Sequence, residues 1–133
     1  MLKINQDDMS ISITRGDTIV FNVQAKQGNS LYTFEEGDRV IFRVSEAKDV
    51  GKFVLEEVAT VSAESEVNKP NQDFVQISVS SADTKAKFAQ SNKPIDYWYE
   101  VSLESALGVQ TIIGYDEDGA KILRVFPEIE SNE

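Results

Sequence analysis

Apolar residues recur with period two in one segment after another of this chain. That spacing restricts it to strands with one buried face, because successive side chains of a strand point to opposite sides. Met9, Ile11 and Ile13 alternate with Ser10, Ser12 and Thr14. After a turn at Arg15-Gly16-Asp17, Ile19, Phe21 and Val23 alternate with Thr18, Val20 and Asn22, so the two runs make an opening hairpin or a strand that switches sheets. The polar stretch from Ala25 to Ser30 reads as a loop. Tyr32 and Phe34 begin a short strand that ends at Glu36-Gly37-Asp38, where glycine supplies the positive φ that other residues avoid. Val40, Phe42 and Val44 alternate next, and a loop through Asp49 and Gly51 leads to Phe53 and Leu55, with Val58 and Val61 further on. A polar segment with Pro70 follows, and Val75, Ile77 and Val79 resume the alternation.

Period two fails from Ser81 to Gln90, where Ala82, Ala86, Phe88 and Ala89 suit a helix of two turns at most, capped by Ser81 or Asp83. Tyr97, Tyr99, Val101 and Leu103 then form the strongest strand pattern, with Trp98, Glu100 and Ser102 on its other face. Gln110 to Tyr115 is expected to pair with Ala120 to Phe126 across Asp116-Glu117-Asp118-Gly119, since an Asp-Gly turn between β-rich flanks is a strong hairpin signal. These segments predict one all-β domain over residues 1–133, an antiparallel sandwich with one short helix near residues 81–90, an ordered core over about 8–127 and an acidic C-terminal tail.

Composition narrows the chemistry. The chain has no cysteine and no histidine, so thiol nucleophiles, thiolate metal sites and serine–histidine or cysteine–histidine mechanisms are excluded within it. No carboxylate pair stands out for glycoside hydrolysis, and no glycine-rich phosphate loop is present. The expectation is a protein that is not an enzyme and takes no cofactor or metal. The acidic Asp116 to Asp118 turn is read as a turn, because an EF-hand loop spreads its ligands over about twelve residues between helices. Arg15-Gly16-Asp17 spells the tripeptide that adhesion receptors recognise, yet it falls where the fold needs a turn.

The net charge is −10, with acids at Glu35, Glu36, Asp38, Glu56, Glu57, Asp116 to Asp118, Glu128, Glu130 and Glu133, against a sparse basic cluster of Lys85, Lys87 and Lys93. A phosphate backbone is repelled by that balance, so nucleic acid is not an expected partner. No apolar run reaches signal-peptide or membrane-span length, so the chain is expected to be soluble, made inside a cell, and without a membrane partner. Trp98, beside Glu100 on the face opposite the core, is a candidate partner contact together with Tyr115.

Several segments together resemble a family of small virion structural proteins of tailed bacteriophages and prophages of Gram-positive bacteria. They are Ile13-Thr14-Arg15-Gly16-Asp17-Thr18, the stretch from Tyr32 to Val44, Ser81-Ala82-Asp83-Thr84, Tyr97-Trp98-Tyr99-Glu100-Val101 and Gln110-Thr111-Ile112-Ile113-Gly114. The likeness is to the amino-terminal domain of upper baseplate proteins and to head-fibre proteins. It implies an immunoglobulin-like sandwich, a non-catalytic structural or decoration role, other virion proteins as partners with a second copy of the chain as a further candidate, and passage from the bacterial cytoplasm into the virion. The alternative reading is a carbohydrate-binding sandwich module of a cell-surface or virion adhesion system, with Trp98 and Tyr115 as sugar-stacking rings.

Overall fold

The computed structural model describes residues 1–46, 53–117 and 119–128. Asp49, Gly51, Asp118 and the tail from residue 129 lie outside them. In chain order the elements are β1 (Lys3–Ile4), β2 (Ile11–Thr14), β3 (Ile19–Val23), β4 (Lys26–Gln27), β5 (Ser30–Leu31), β6 (Arg39–Ser45), β7 (Phe53–Thr60), β8 (Val75–Val79), α1 (Ser81–Lys87), β9 (Ile95–Ser105), β10 (Gly108–Ile113) and β11 (Lys121–Phe126). β1 joins the sheet ahead of residue 8. The expected loop from Ala25 to Ser30 is instead a small hairpin, β4 with β5.

The protein is an all-β, sandwich-like fold. A seven-stranded sheet in the order β1-β2-β11-β9-β6-β7, with β10 also paired to β9, forms one layer, and the pair β3–β8 lies against it. The chain switches layers between β2 and β3, at the Arg15-Gly16-Asp17 turn, where Gly16 has φ +92°. The large sheet is antiparallel except where β2 and β11 run parallel. The inward residues of both layers form one apolar core: Ile19, Phe21 and Val23 with Val75, Ile77 and Val79 face Val40, Phe42, Val44, Tyr97, Tyr99, Val101, Leu103, Leu123 and Val125. Phe21 meets Phe42 edge-on at 5.3 Å between ring centroids, a pairing that adds about 0.5–1.5 kcal/mol to the burial of the rings.

The helix falls where the alternation fails, and its cap is Ser80 rather than Ser81 or Asp83: the Ser80 hydroxyl accepts from the Asp83 N–H at 3.2 Å. The Arg15-Gly16-Asp17 turn is fastened to this helix. Arg15 Nε donates to the Phe88 carbonyl at 2.9 Å and Nη2 to the Lys85 carbonyl at 2.7 Å, so the guanidinium sits on carbonyls at the helix C-terminal end. Ser81 and Thr84 donate to the carbonyls of Gly16 and Asp17 at 2.6 and 2.8 Å. The tripeptide therefore couples a layer crossing to α1, and its arginine points into the protein.

One expected pairing does not form. β10 and β11 do not make a hairpin with each other; both run antiparallel to β9, β10 beside Val101–Ser105 and β11 beside Ile95–Tyr99. They are collinear, and the chain between them, from Gly114 to Ala120, leaves the sheet and returns. The turn signal itself is sound, because the Gly119 N–H donates to the Asp116 carbonyl at 2.9 Å. It closes that excursion instead of a hairpin, because β9, eleven residues long, can host both segments in line. The hairpin in this part of the chain is β9–β10, turning through Ala106 and Leu107.

Candidate partner-binding face

The outer face of the large sheet is built in rows, because cross-strand partners point the same way. The registers of β7, β6, β9 and their neighbours define them. Phe53, Ser45, Trp98 and Ile122 stand in one row. Next come Glu56, Arg43 and Glu100, then Val58, Ile41, Ser102 and Thr111, then Thr60, Arg39, Glu104 and Val109. Charged rows thus alternate with uncharged ones.

Arg43 holds its row together. Its Nε donates to Glu56 at 2.6 Å, its Nη1 lies 3.9 Å from Glu100, and its guanidinium carbon sits 5.2 Å from the centroid of the Phe53 ring. Arg39 pairs with Glu104 at 2.8 Å four residues along β6. Beyond the Trp98 row, Arg124 grips both oxygens of Asp96 at 2.7 and 3.1 Å, and this hydrogen bonding holds the Asp96 carboxyl below its ordinary range. Between the charged rows Ile41 is only 2 % exposed although it faces away from the core, so the long side chains around it cover it.

The Gly114–Ala120 excursion brings Tyr115 to this face. The chain leaves the sheet at Gly114, where a Cβ would lie 2.7 Å from Thr111 Cγ2, so any larger residue would have to push the Thr111 side chain aside. Lys121, buried, ties the excursion back through Asp116 at 2.9 Å. Trp98, Glu100 and Tyr115 consequently line a single depression of about 80 Å³ with Arg43, Ser45, Phe53, Tyr99, Ala120 and Lys121. Tyr115 is 79 % exposed, Phe53 is exposed and Trp98 half-buried. The three residues singled out in the sequence therefore meet.

Arg43 and Phe53 are the members that the periodicity missed. Counting by twos from Leu55 puts Phe53 in the core, but a register shift pairs Val44 with Leu55 and Ser45 with Phe53, turning the ring outward. Arg43 carried a legible signal: it is the outward residue between Phe42 and Val44, opposite an outward glutamate on each neighbouring strand.

A larger cavity lies elsewhere, a groove of about 550 Å³ at the open end between the layers, walled by Ile4, Met9, Ile11, Phe21, Ile112 and Ile113. Its described lining holds neither aspartate nor glutamate, so it presents no carboxylate pair, and none of Trp98, Glu100 and Tyr115 reaches it. Tyr99 stands between core and groove, donates to the Met9 carbonyl, and has its phenol pKa raised by burial and by Asp8. Tyr32 donates to buried Asp38 at 2.7 Å, and burial, with that carboxylate, pushes its pKa up to about 12. Asp38 also accepts from the Glu35 N–H at 2.9 Å, so this pair shapes the turn at Gly37, whose φ is +91°. Among the described residues no helix is long and apolar enough to cross a membrane.

The chain matches no protein-family model and no curated protein. Function has to be argued from the face itself.

Proposed function

We propose that the protein is a non-catalytic structural or decoration protein of a tailed-phage or prophage virion, acting through protein–protein contacts made by the Phe53–Trp98–Tyr115 face. The observation that carries this reading is the aromatic cluster on a rigid sheet, ringed by ion pairs. Aromatic anchors surrounded by polar groups are the usual anatomy of a protein interface. The depression among the rings is about 80 Å³, far below the roughly 300–1,000 Å³ of small-molecule sites. A flat partner surface suits it better than an enclosed ligand. The virion setting rests on the family resemblance of the turn and strand segments, and in such a lattice many modest contacts sum to stable attachment.

Proteomics of purified particles from an induced lysogen tests the proposal. The protein is expected in the particles, and Trp98→Ala with Tyr115→Ala is expected to reduce its incorporation while the purified variant stays folded. Consistent absence from particles sinks the reading.

One observation favours a second reading. Trp98, Tyr115 and Phe53 share one shallow surface, the form of a sugar-stacking platform, so a carbohydrate-binding module accounts for the same rings. A glycan array separates the two, since binding that is lost with Tyr115→Ala selects the carbohydrate reading.

A further inference from the structure

The large sheet is unequal at its free edges. β7 presents Glu56 and Glu57 along its eight residues, and β1 is two residues long. A charged edge and a short edge are the ordinary devices that stop sheets from pairing with other chains. β10 has neither. Its sequence, Gly-Val-Gln-Thr-Ile-Ile, contains no charge and no proline in a chain of net charge −10. Among the described residues only β9 pairs with it.

β10 also projects. Gly108, Val109, Gln110 and Thr111 are all exposed, so neither face of this part of the strand is covered. Val109 is 68 % exposed and Leu107, at the hairpin tip, 75 %. The register shift in β10 lies between Thr111 and Ile113, so Val109, Gln110 and Thr111 keep an unbroken register with β9, while Gly108 turns into the strand at φ +116°. The nearest acid across the sheet, Glu104 opposite Val109, is already neutralised by Arg39.

We infer that β10 is the edge by which two copies of this chain pair, antiparallel and about a two-fold axis normal to the sheet. Electrostatics selects a second copy at this edge over the others. Two chains of charge −10 repel, and like charges directly opposed in a ladder destabilise it, as paired β7 edges would with Glu56 and Glu57. The β10 strip is neutral and self-complementary. A pairing centred on Gln110 sets Gln110 opposite Gln110 of the second copy and Val109 opposite its Thr111, with all residues keeping to their own faces of the sheet. Six residues span about 20 Å and bury well under the roughly 1,200 Å² of a standard interface, so the association is weak and depends on concentration. This inference does not rest on the virion reading: it is tested on purified protein, and either can fail alone.

The test uses the full chain in sedimentation velocity from about 10 μM to about 1 mM, a range suited to a small interface. Wild type is expected to shift from monomer towards dimer with rising concentration. Gln110→Lys and Gln110→Glu each oppose like charges at the two-fold axis and are expected to associate about fivefold or more weakly. An equimolar mixture of the two places opposite charges there and is expected to restore association. Gln110 is exposed, and circular dichroism checks that each variant folds. Because the chain contains no cysteine, Gln110→Cys gives a direct readout, a disulfide-linked dimer on mild oxidation, which Thr60→Cys on the β7 edge is not expected to give. Monomer at every concentration, no recovery in the mixture, or equal cross-linking from both cysteine variants would each overturn self-pairing.

Discussion

Replacing Arg43 by alanine removes the cation that organises the outer face, and the structure sets the size of the effect. The bond to Glu56 at 2.6 Å joins a quarter-exposed arginine to a more exposed glutamate, so it falls in the range of about 0.2–1 kcal/mol measured for such pairs. Glu100, at 3.9 Å, adds little. The guanidinium over the Phe53 ring contributes about 0.5–1 kcal/mol at an exposed site. The sum is about 0.7–2 kcal/mol. Unfolding entropy near 2.1 cal/mol/K per residue gives about 0.28 kcal/mol/K for 133 residues, so Tm is expected to fall by about 3–7 °C in low salt. At 1 M NaCl the screening length shrinks to about 3 Å and the ion-pair share largely disappears. The loss should then shrink to about 2–4 °C, the cation–π part. Arg43→Lys keeps the charge but not the plane that covers the ring, and should fall between. Thermal melts followed by Trp98 fluorescence at both salt concentrations measure this. A loss under about 1 °C in low salt, or the same loss in both salts, would refute the account of the row.

Two further outcomes test the scaffold behind the face. Arg15→Ala removes two charge-assisted bonds to the carbonyls of Lys85 and Phe88 together with the ion pair to Glu128, and urea unfolding should report about 2–3 kcal/mol of lost stability; an adhesion motif held free of the fold would report almost none. Burial, and Asp83 nearby, raise the Glu57 pKa above its ordinary 4.5, so the folded state holds this proton more tightly than the unfolded chain and stability falls as pH rises through that range. Glu57→Gln should accordingly stabilise the protein slightly at pH 7, by less than about 1 kcal/mol given its partial exposure, with the gain vanishing below about pH 4; an equal gain at both pH values would contradict the assignment.

Strand identity was legible over most of the core, because burial imposes period two whatever the partner; the expected strand at Tyr32 and Phe34 is the exception, since Phe34 is buried but makes only a single bridge, to Gln72. Ile11 with Ile13, Val40 to Val44, Val75 to Val79 and Tyr97 to Leu103 all lie in the core as their spacing requires. Pairing was less legible. The Asp-Gly turn near Asp116 carries local information, a bend, and says nothing of which strand the flanks will find. Only the length of β9 decides that β10 and β11 lie end to end beside it. The parallel contact of β2 with β11 is invisible for the same reason, since it joins residues more than a hundred positions apart.

The candidate face shows where reading by alternation stops. Trp98 and Glu100 were placed correctly because they stand between buried tyrosines and a valine on a regular strand. Tyr115 reached them by a different route, through an excursion that starts at Gly114 and is tied down where Lys121 holds Asp116. Phe53 arrived through a register shift that moves it off the core face. Irregularities of this kind interrupt the core pattern, and each adds to the outer surface an aromatic that regular alternation would have buried or left apart. Phe53 there meets the Arg43 guanidinium, and Tyr115 stands 79 % exposed beside it. The two departures from period two converge on one patch, and that convergence, more than any single ring, is what supports the proposal that this face meets a partner.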